Sequence, residues 1–201
     1  MREPAGPALN FLAHFHLAWP DQALIAGGLE GDYFKGPLPG TLPPQLAQGV
    51  RLHRQIDAYT DSHPIVKSLR EALPESLRRY AGILIDLCFD HFLTLHWARF
   101  SSVPLRQFSD RIYEALKAHD HQLSEGARAM AARLARHDVL VLFEHWDTVI
   151  TSAERTGERF KRENPFRNID QHLSPAKEKL EHAFLNFYPD LQSFSLGRGH
   201  S

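Results

Sequence analysis

Cysteine is almost missing from this chain: Cys88 is the single one in 201 residues. That excludes an internal disulfide framework and the cysteine-rich zinc sites. An excess of one charge is lacking too. With 23 Lys+Arg against 24 Asp+Glu, the formal net charge is -1, so no global field selects nucleic acid or an anionic membrane, and a charged partner must be met by a local patch. No apolar run approaches the roughly 18 to 20 residues of a membrane span, and the opening MREPAGPALN lacks the apolar centre of a signal peptide. These absences predict a cytoplasmic protein that binds neither nucleic acid nor membrane. Strand alternation, internal repeats and low-complexity tracts are absent as well.

What is present is helical spacing of apolar residues. A hydrophobic content of 43% supports one domain with a real core. NFLAHFHLAW reads as a helix to about Ala18, and GPLPGTLPP, residues 36–44, must be a loop. The next helix starts near Gln45 and is closed by Pro64. A short helix from Pro64 to Leu73 follows, then a buried helix from about Ser76 to Arg99. Segments 104–119, 124–136, 138–162 and 175–187 repeat the helical pattern. The predicted architecture is all-α, a single-domain helical bundle over residues 10–190, with loose segments at 1–9 and 191–201.

The stretch GILIDLCFDHFLTLHW, residues 82–97, sets Asp86, Asp90 and His91 inside one of the most apolar runs. Residues four apart on a helix lie about 40° apart, so Asp86 and Asp90 share a face. Two carboxylates in one low-dielectric neighbourhood need a cation, an arginine or a shared proton. On an earlier helix His53, Asp57 and Asp61 recur every four residues along a stripe about 80° wide, with Arg54 beside it as a candidate phosphate clamp. If the stripe faces Asp86 and Asp90, one pocket holds a histidine and up to four carboxylates, a crowd that a hard divalent cation makes stable. Imidazole and carboxylate donors without thiolate favour Mn²⁺, Mg²⁺, Fe or Zn²⁺. Asp32, in EGDYFKG, can approach from a loop. His14 and His16 diverge by about 200° on a helix, so at most one belongs to such a site; we place His14 with Arg54 and Asp61 among the candidate catalytic groups.

Four motifs in order, NFLAHFHLA (10–18), GDYFKG (31–36), HRQIDAYTD (53–61) and IDLCFDHFL (85–93), resemble the acyl carrier protein phosphodiesterase family. The resemblance is strongest over residues 10–100 and extends to FLNFYPDL near Tyr188. It implies an all-α fold related to the HD superfamily of metal-dependent phosphohydrolases. It also implies hydrolysis of the phosphodiester joining 4'-phosphopantetheine to a serine of holo acyl carrier protein, typically with Mn²⁺, Mg²⁺ or Fe²⁺ being alternatives. By position in the motifs the implied metal ligands are Asp32, His53, Asp57, Asp86, Asp90 and His91, with Arg54 and Asp61 close by. His91 lies about 100° around the helix from Asp90, so both serve one site only if it sits on the edge between them.

The mechanism that joins these lines is metal-assisted hydrolysis, with Arg54 offsetting phosphoryl charge and Asp61 or Asp57 orienting or deprotonating the water. The resemblance implies an acidic carrier protein as partner, which an arginine rim of Arg51, Arg54, Arg155, Arg159 and Arg162 would steer. Two other readings stay open from the sequence: a nucleotide or other small diester as substrate, and a helical module that grips the carrier without cleaving it.

Overall fold

A computed structural model describes residues 11–160 and 163–197. Among these residues the chain is helical, with no strand. The helices are α1 (Phe11–Ala18), α2 (Gln22–Glu30), α3 (Pro44–Ser62), α4 (Pro64–Ala72), α5 (Glu75–Arg78), α6 (Ala81–Leu95), α7 (Trp97–Phe100), α8 (Leu105–Ala118), α9 (Glu125–His137), α10 (Val139–Leu142), α11 (Trp146–Gly157), α12 (Asp170–Leu173) and α13 (Lys177–Leu196). The all-α expectation is borne out. None of these helices is long and apolar enough to cross a membrane. The segment assigned to residues 1–9 and the end of the tail lie outside the described residues.

Several boundaries differ from the sequence reading. The single helix expected over 76–99 is three pieces, α5, α6 and α7. The short α7 is tied to the turn that follows it by the Trp97 indole N–H, which donates to the Val103 carbonyl at 2.7 Å. The helix expected over 138–162 divides into α10 and α11, and the hydroxyl of Thr148 satisfies the Leu142 carbonyl at the division. The last helix runs on through Pro189 to Leu196, past residue 190. Two helices were not read at all: the single-turn α12, which falls between the expected segments, and α2, whose two glycines mask the apolar pattern. The Asp21 side chain caps α2, accepting from the backbone N–H groups of Ala23 and Leu24.

The core forms around α6. Leu84, Ile85, Leu87, Cys88, Phe89, Phe92 and Leu93 are all buried, and a helix apolar on every side must lie inside its neighbours. It packs against α1, α4, α11 and α13. Phe184, Phe187 and Tyr188 of α13 cover one side, with Phe89 and Phe184 ring centroids 5.4 Å apart.

The closest crossing is between α2 and α3. A Cβ built on Gly27 would stand 2.3 Å from the Leu46 carbonyl oxygen and 2.7 Å from the Gly49 Cα. One built on Gly49 would stand 2.6 Å from the Leu24 carbonyl oxygen. The two backbones touch, which only glycine allows. One turn further along both helices, the backbone of Gly31 lies against the His53 ring, where a Cβ would meet Cγ at 2.4 Å. The glycine crossing therefore sets how near the end of α2, and Asp32 behind it, comes to α3. Gly49→Ala is expected to lower stability by about 2 to 3 kcal/mol through overpacking against backbone that has no side chain to move. Urea unfolding reads this directly, and a loss under about 0.5 kcal/mol would show that the helices can part freely.

Candidate functional site

Three elements deliver the polar cluster, and each is placed by a different local device. α1 begins against Asp90, whose carboxyl accepts from the backbone N–H of Leu12 at 3.0 Å and of Ala13 at 3.1 Å. These N–H groups have no partner within their own helix, so a buried side chain on α6 does the work of an N-cap. One residue further on α1 carries His14, which is buried. α3 carries His53 and Asp57 one turn apart. The loop after α2 carries Asp32.

The imidazole Nε2 of His14 lies 3.2 Å from Oδ1 of Asp57, and Nε2 of His53 lies 3.2 Å from Oδ2 of the same carboxylate. Oδ1 of Asp32 is 3.8 Å from His53 Nε2. The two imidazoles stack with centroids 4.1 Å apart and planes inclined by 20°. One donor atom each from His14, His53 and Asp57 lies within 4.8 Å of the other two. Both ring nitrogens of His14 are buried without a hydrogen-bond partner. Its approach to Asp57 is close but off the direction a hydrogen bond requires. A buried imidazole that approaches a carboxylate without a well-directed bond suits a donor aimed at a common ion. Asp57, with its side chain 49% exposed, is the open side of the cluster.

The electrostatics follow from burial and proximity. Burial pushes Asp32 up to about 7; the Asp57 charge adds to this, while His53 and Lys35 oppose it. Asp57 moves the other way: although burial disfavours its charge, the His14 and His53 imidazoles beside it hold it well below the usual carboxylate range. His14 is lowered, first by burial and then by His53. For His53, burial is outweighed by Asp57 and Asp32, and its pKa is raised. Stacked imidazoles cannot easily both be charged, and the pair divides accordingly, His53 shifting up and His14 down.

The remaining sequence candidates fall elsewhere. Asp90 is not in the cluster: it caps α1, and burial pushes its carboxyl up to about 8 against the two N–H donors. His91 is turned away from Asp90 by the helix geometry. Its Nδ1 donates to the Phe143 carbonyl at 2.7 Å, and its ring packs on Trp146. Asp86 shares with Asp90 a cavity of about 20 Å³ that is also lined by Thr60, room for about one water molecule. It is raised well above the usual carboxylate range by burial and by the charges of Asp57, Asp90 and Asp61. That environment favours the protonated carboxyl. Asp61 is paired with Arg70 in the exposed turn of the stripe. Arg54 donates from Nη2 to the Phe34 carbonyl at 3.0 Å and so pins the loop that carries Asp32. Of the HFH pair, His14 belongs to the cluster and His16 bonds through Nδ1 to the Tyr188 hydroxyl at 2.8 Å.

Sequence reasoning missed Glu30. This fully buried carboxylate accepts from the Ser124 N–H at the start of α9, and its other oxygen has no partner. Burial raises its pKa. The signal was available in LIAGGLEGD, a carboxylate at the end of an apolar run, the same signal that drew attention to Asp86 and Asp90.

Fold and site together define an all-α protein with a half-open polar centre built from two histidines and a carboxylate on two helices, with a second carboxylate from a loop. The chain belongs to the acyl carrier protein phosphodiesterase family, whose pattern it matches over residues 9–191. Proteins named acyl carrier protein phosphodiesterase resemble it along nearly their whole length. That of Escherichia coli O6:H1 is 30% identical over 182 residues, covering 90% of this chain and 94% of the relative. That of Yersinia pestis is 30% identical over 194 residues, covering 91% and 95%. That of Photorhabdus laumondii is 29% identical over 186 residues, covering 90% and 92%. No solved structure matches the chain.

The pKa directions set a stability profile. Asp32 (about 7) and Asp90 (about 8) keep protons that an unfolded chain has already released above about pH 4. His53, raised above 6.5, acts in the same sense. The lowered histidines His14 and His16 act in the opposite sense, chiefly below about pH 7, where the unfolded chain takes up the protons. Between pH 6.5 and 8 the folded state therefore binds more protons than the unfolded state, and stability falls as pH rises, by about 2 kcal/mol across that window. Urea titrations of metal-free protein at the two pH values check this; equal stability would contradict it.

Proposed function

We propose that this chain hydrolyses the phosphodiester between 4'-phosphopantetheine and the serine of holo acyl carrier protein, using a divalent cation, Mn²⁺ first. The observation that carries the reading is the convergence of His14 and His53 Nε2 on one half-exposed carboxylate, with both nitrogens of the buried His14 unpartnered, in a chain that belongs to this family. A buried imidazole with no partner is costly, and a cation removes that cost. His14, His53, Asp57 and Asp32 would hold it. The donor set of nitrogen and oxygen without sulfur fits Mn²⁺, Mg²⁺ or Fe²⁺. When bound, such an ion offsets phosphoryl charge and makes an attacking water more acidic.

The chain's own groups do the rest. Asp57 presents the open face, so the scissile phosphorus approaches from its side. Asp32, whose carboxyl burial raises to about 7, would give up its proton as it takes hold of the ion. Asp86, pushed towards its protonated form by burial and its acidic neighbours, lessens the negative charge set against an anionic diester. Arg51, Arg155 and Arg159 are exposed and are the groups through which we expect a carrier protein to dock, while Arg162 lies outside the described residues. The same pattern of histidines and aspartates on neighbouring helices is our ground for grouping the fold with the HD phosphohydrolases.

The test follows the mass of holo acyl carrier protein with Mn²⁺. Loss of the prosthetic group is expected with the wild type, and Asp57→Ala should reduce kcat/KM by about 10³-fold or more, as the loss of a metal ligand and of transition-state charge requires. No release from folded, Mn²⁺-loaded protein would move the substrate to a small diester. Mn²⁺ binding must also displace the protons on Asp32 and His53. Its affinity should therefore rise as pH passes through about 7, and a pH-independent affinity would remove Asp32 and His53 from the ligand set. Docking on the arginine rim predicts that kcat/KM falls with added salt.

A further inference from the structure

The loop between α2 and α3 is anchored on both sides of the polar centre. The ring of Tyr33 lies on Gly126, where a Cβ would stand 2.6 Å from Cε1. The next carbonyl, that of Phe34, is held at 3.0 Å by Nη2 of Arg54, the residue after His53. Directly beyond this fixed carbonyl comes Lys35. Gly36, at φ +82, then turns the chain in a conformation that side chains rarely adopt. Lys35 is thus presented on a short pinned segment, three residues from Asp32.

The cations around the centre are not equivalent. Arg70 is engaged by Asp61, and Arg54 by the Phe34 carbonyl. Lys35 is exposed, and no ion pair or hydrogen bond of its ammonium is seen among the described residues. Its charge nevertheless acts on both the Asp32 carboxyl and the His53 imidazole. An exposed lysine on a pinned loop three residues from Asp32, not neutralised by a neighbour, is a point charge available to an incoming anion.

We propose that Lys35 contacts the phosphoryl oxygens of the substrate, and that Arg54 is a positioning residue that fixes the loop from which Lys35 reaches. This rests on the reading of the centre as a phosphodiester site. Within that reading it transfers the phosphate contact from Arg54, the residue the sequence favoured, to a residue the sequence did not single out.

The test uses the full chain with Mn²⁺ and inorganic phosphate as probe, followed by calorimetry, alongside release of 4'-phosphopantetheine. Lys35→Ala should weaken phosphate binding about tenfold or more, the usual consequence of losing a charge-assisted contact, and lower kcat/KM by a similar factor. Mn²⁺ affinity should stay the same or rise, because a nearby positive charge has been removed; a residue that merely shapes the loop would weaken it. Lys35→Arg should recover phosphate binding to within about threefold. Unchanged phosphate affinity in Lys35→Ala, or no phosphate binding by the wild type, would overturn the assignment. If phosphate binding depends on Lys35 while the wild type releases no prosthetic group, the carrier-protein reading fails and the assignment of Lys35 stands.

Discussion

The contact on which this structure turns is the one between Asp90 and the first turn of α1. A carboxyl in the middle of an apolar helix accepts from the Leu12 and Ala13 N–H groups, and in doing so satisfies donors that would otherwise be buried and unbonded. It fixes where α1 starts and how it is rotated. His14 follows one residue later, so that rotation delivers its ring onto His53 while His16 turns to Tyr188. Asp90 thus belongs to the site through geometry, as the anchor of a helix that brings in a donor.

A second constraint meets the first from the other side. The Gly27 and Gly49 backbones touch, and Gly31 lies flat on His53. α1 and α2 therefore press on α3 from two directions, each at a position where side-chain bulk is excluded or a hydrogen bond is obligatory. The result is a cluster whose members cannot relax away from one another. In water two imidazoles and two carboxylates would spread to their own solvent shells. Here they are held within reach of a common point, and the strong divergence of their pKa values reflects that confinement.

The chemistry is divided by depth. Asp57 at the mouth is held ionised by the two histidines, whereas Asp86 and Asp90 behind it are pushed towards their neutral forms by burial. The negative charge that the composition suggests is therefore concentrated at the mouth, on Asp57, and is reduced behind it.

Much of this was legible in the sequence. Helical period marked most of the elements, and carboxylates in apolar runs marked Asp86 and Asp90 as residues with a purpose. The four-residue spacing of His53 and Asp57 placed both on one stripe, where the structure finds them. The proline and glycine loop was evident, and so was the family. The partners were not legible. Spacing along one helix specifies which side chains share a face, but it contains no information on what the face meets. Asp90 and Asp86 share a face as periodicity requires, yet one caps α1 and the other backs the cluster, a distinction made by which helix end arrives there. Arg54 and Lys35 are both basic residues near motif positions. Only the path of the loop, with its carbonyl held by Arg54, leaves Lys35 as the unneutralised charge. The sequence alone determined the helices, the donor types and the kinship, because these depend on local propensity and residue chemistry. Tertiary structure decided which donors converge, because convergence depends on helix crossings that backbone contact and buried hydrogen bonds set across long stretches of chain.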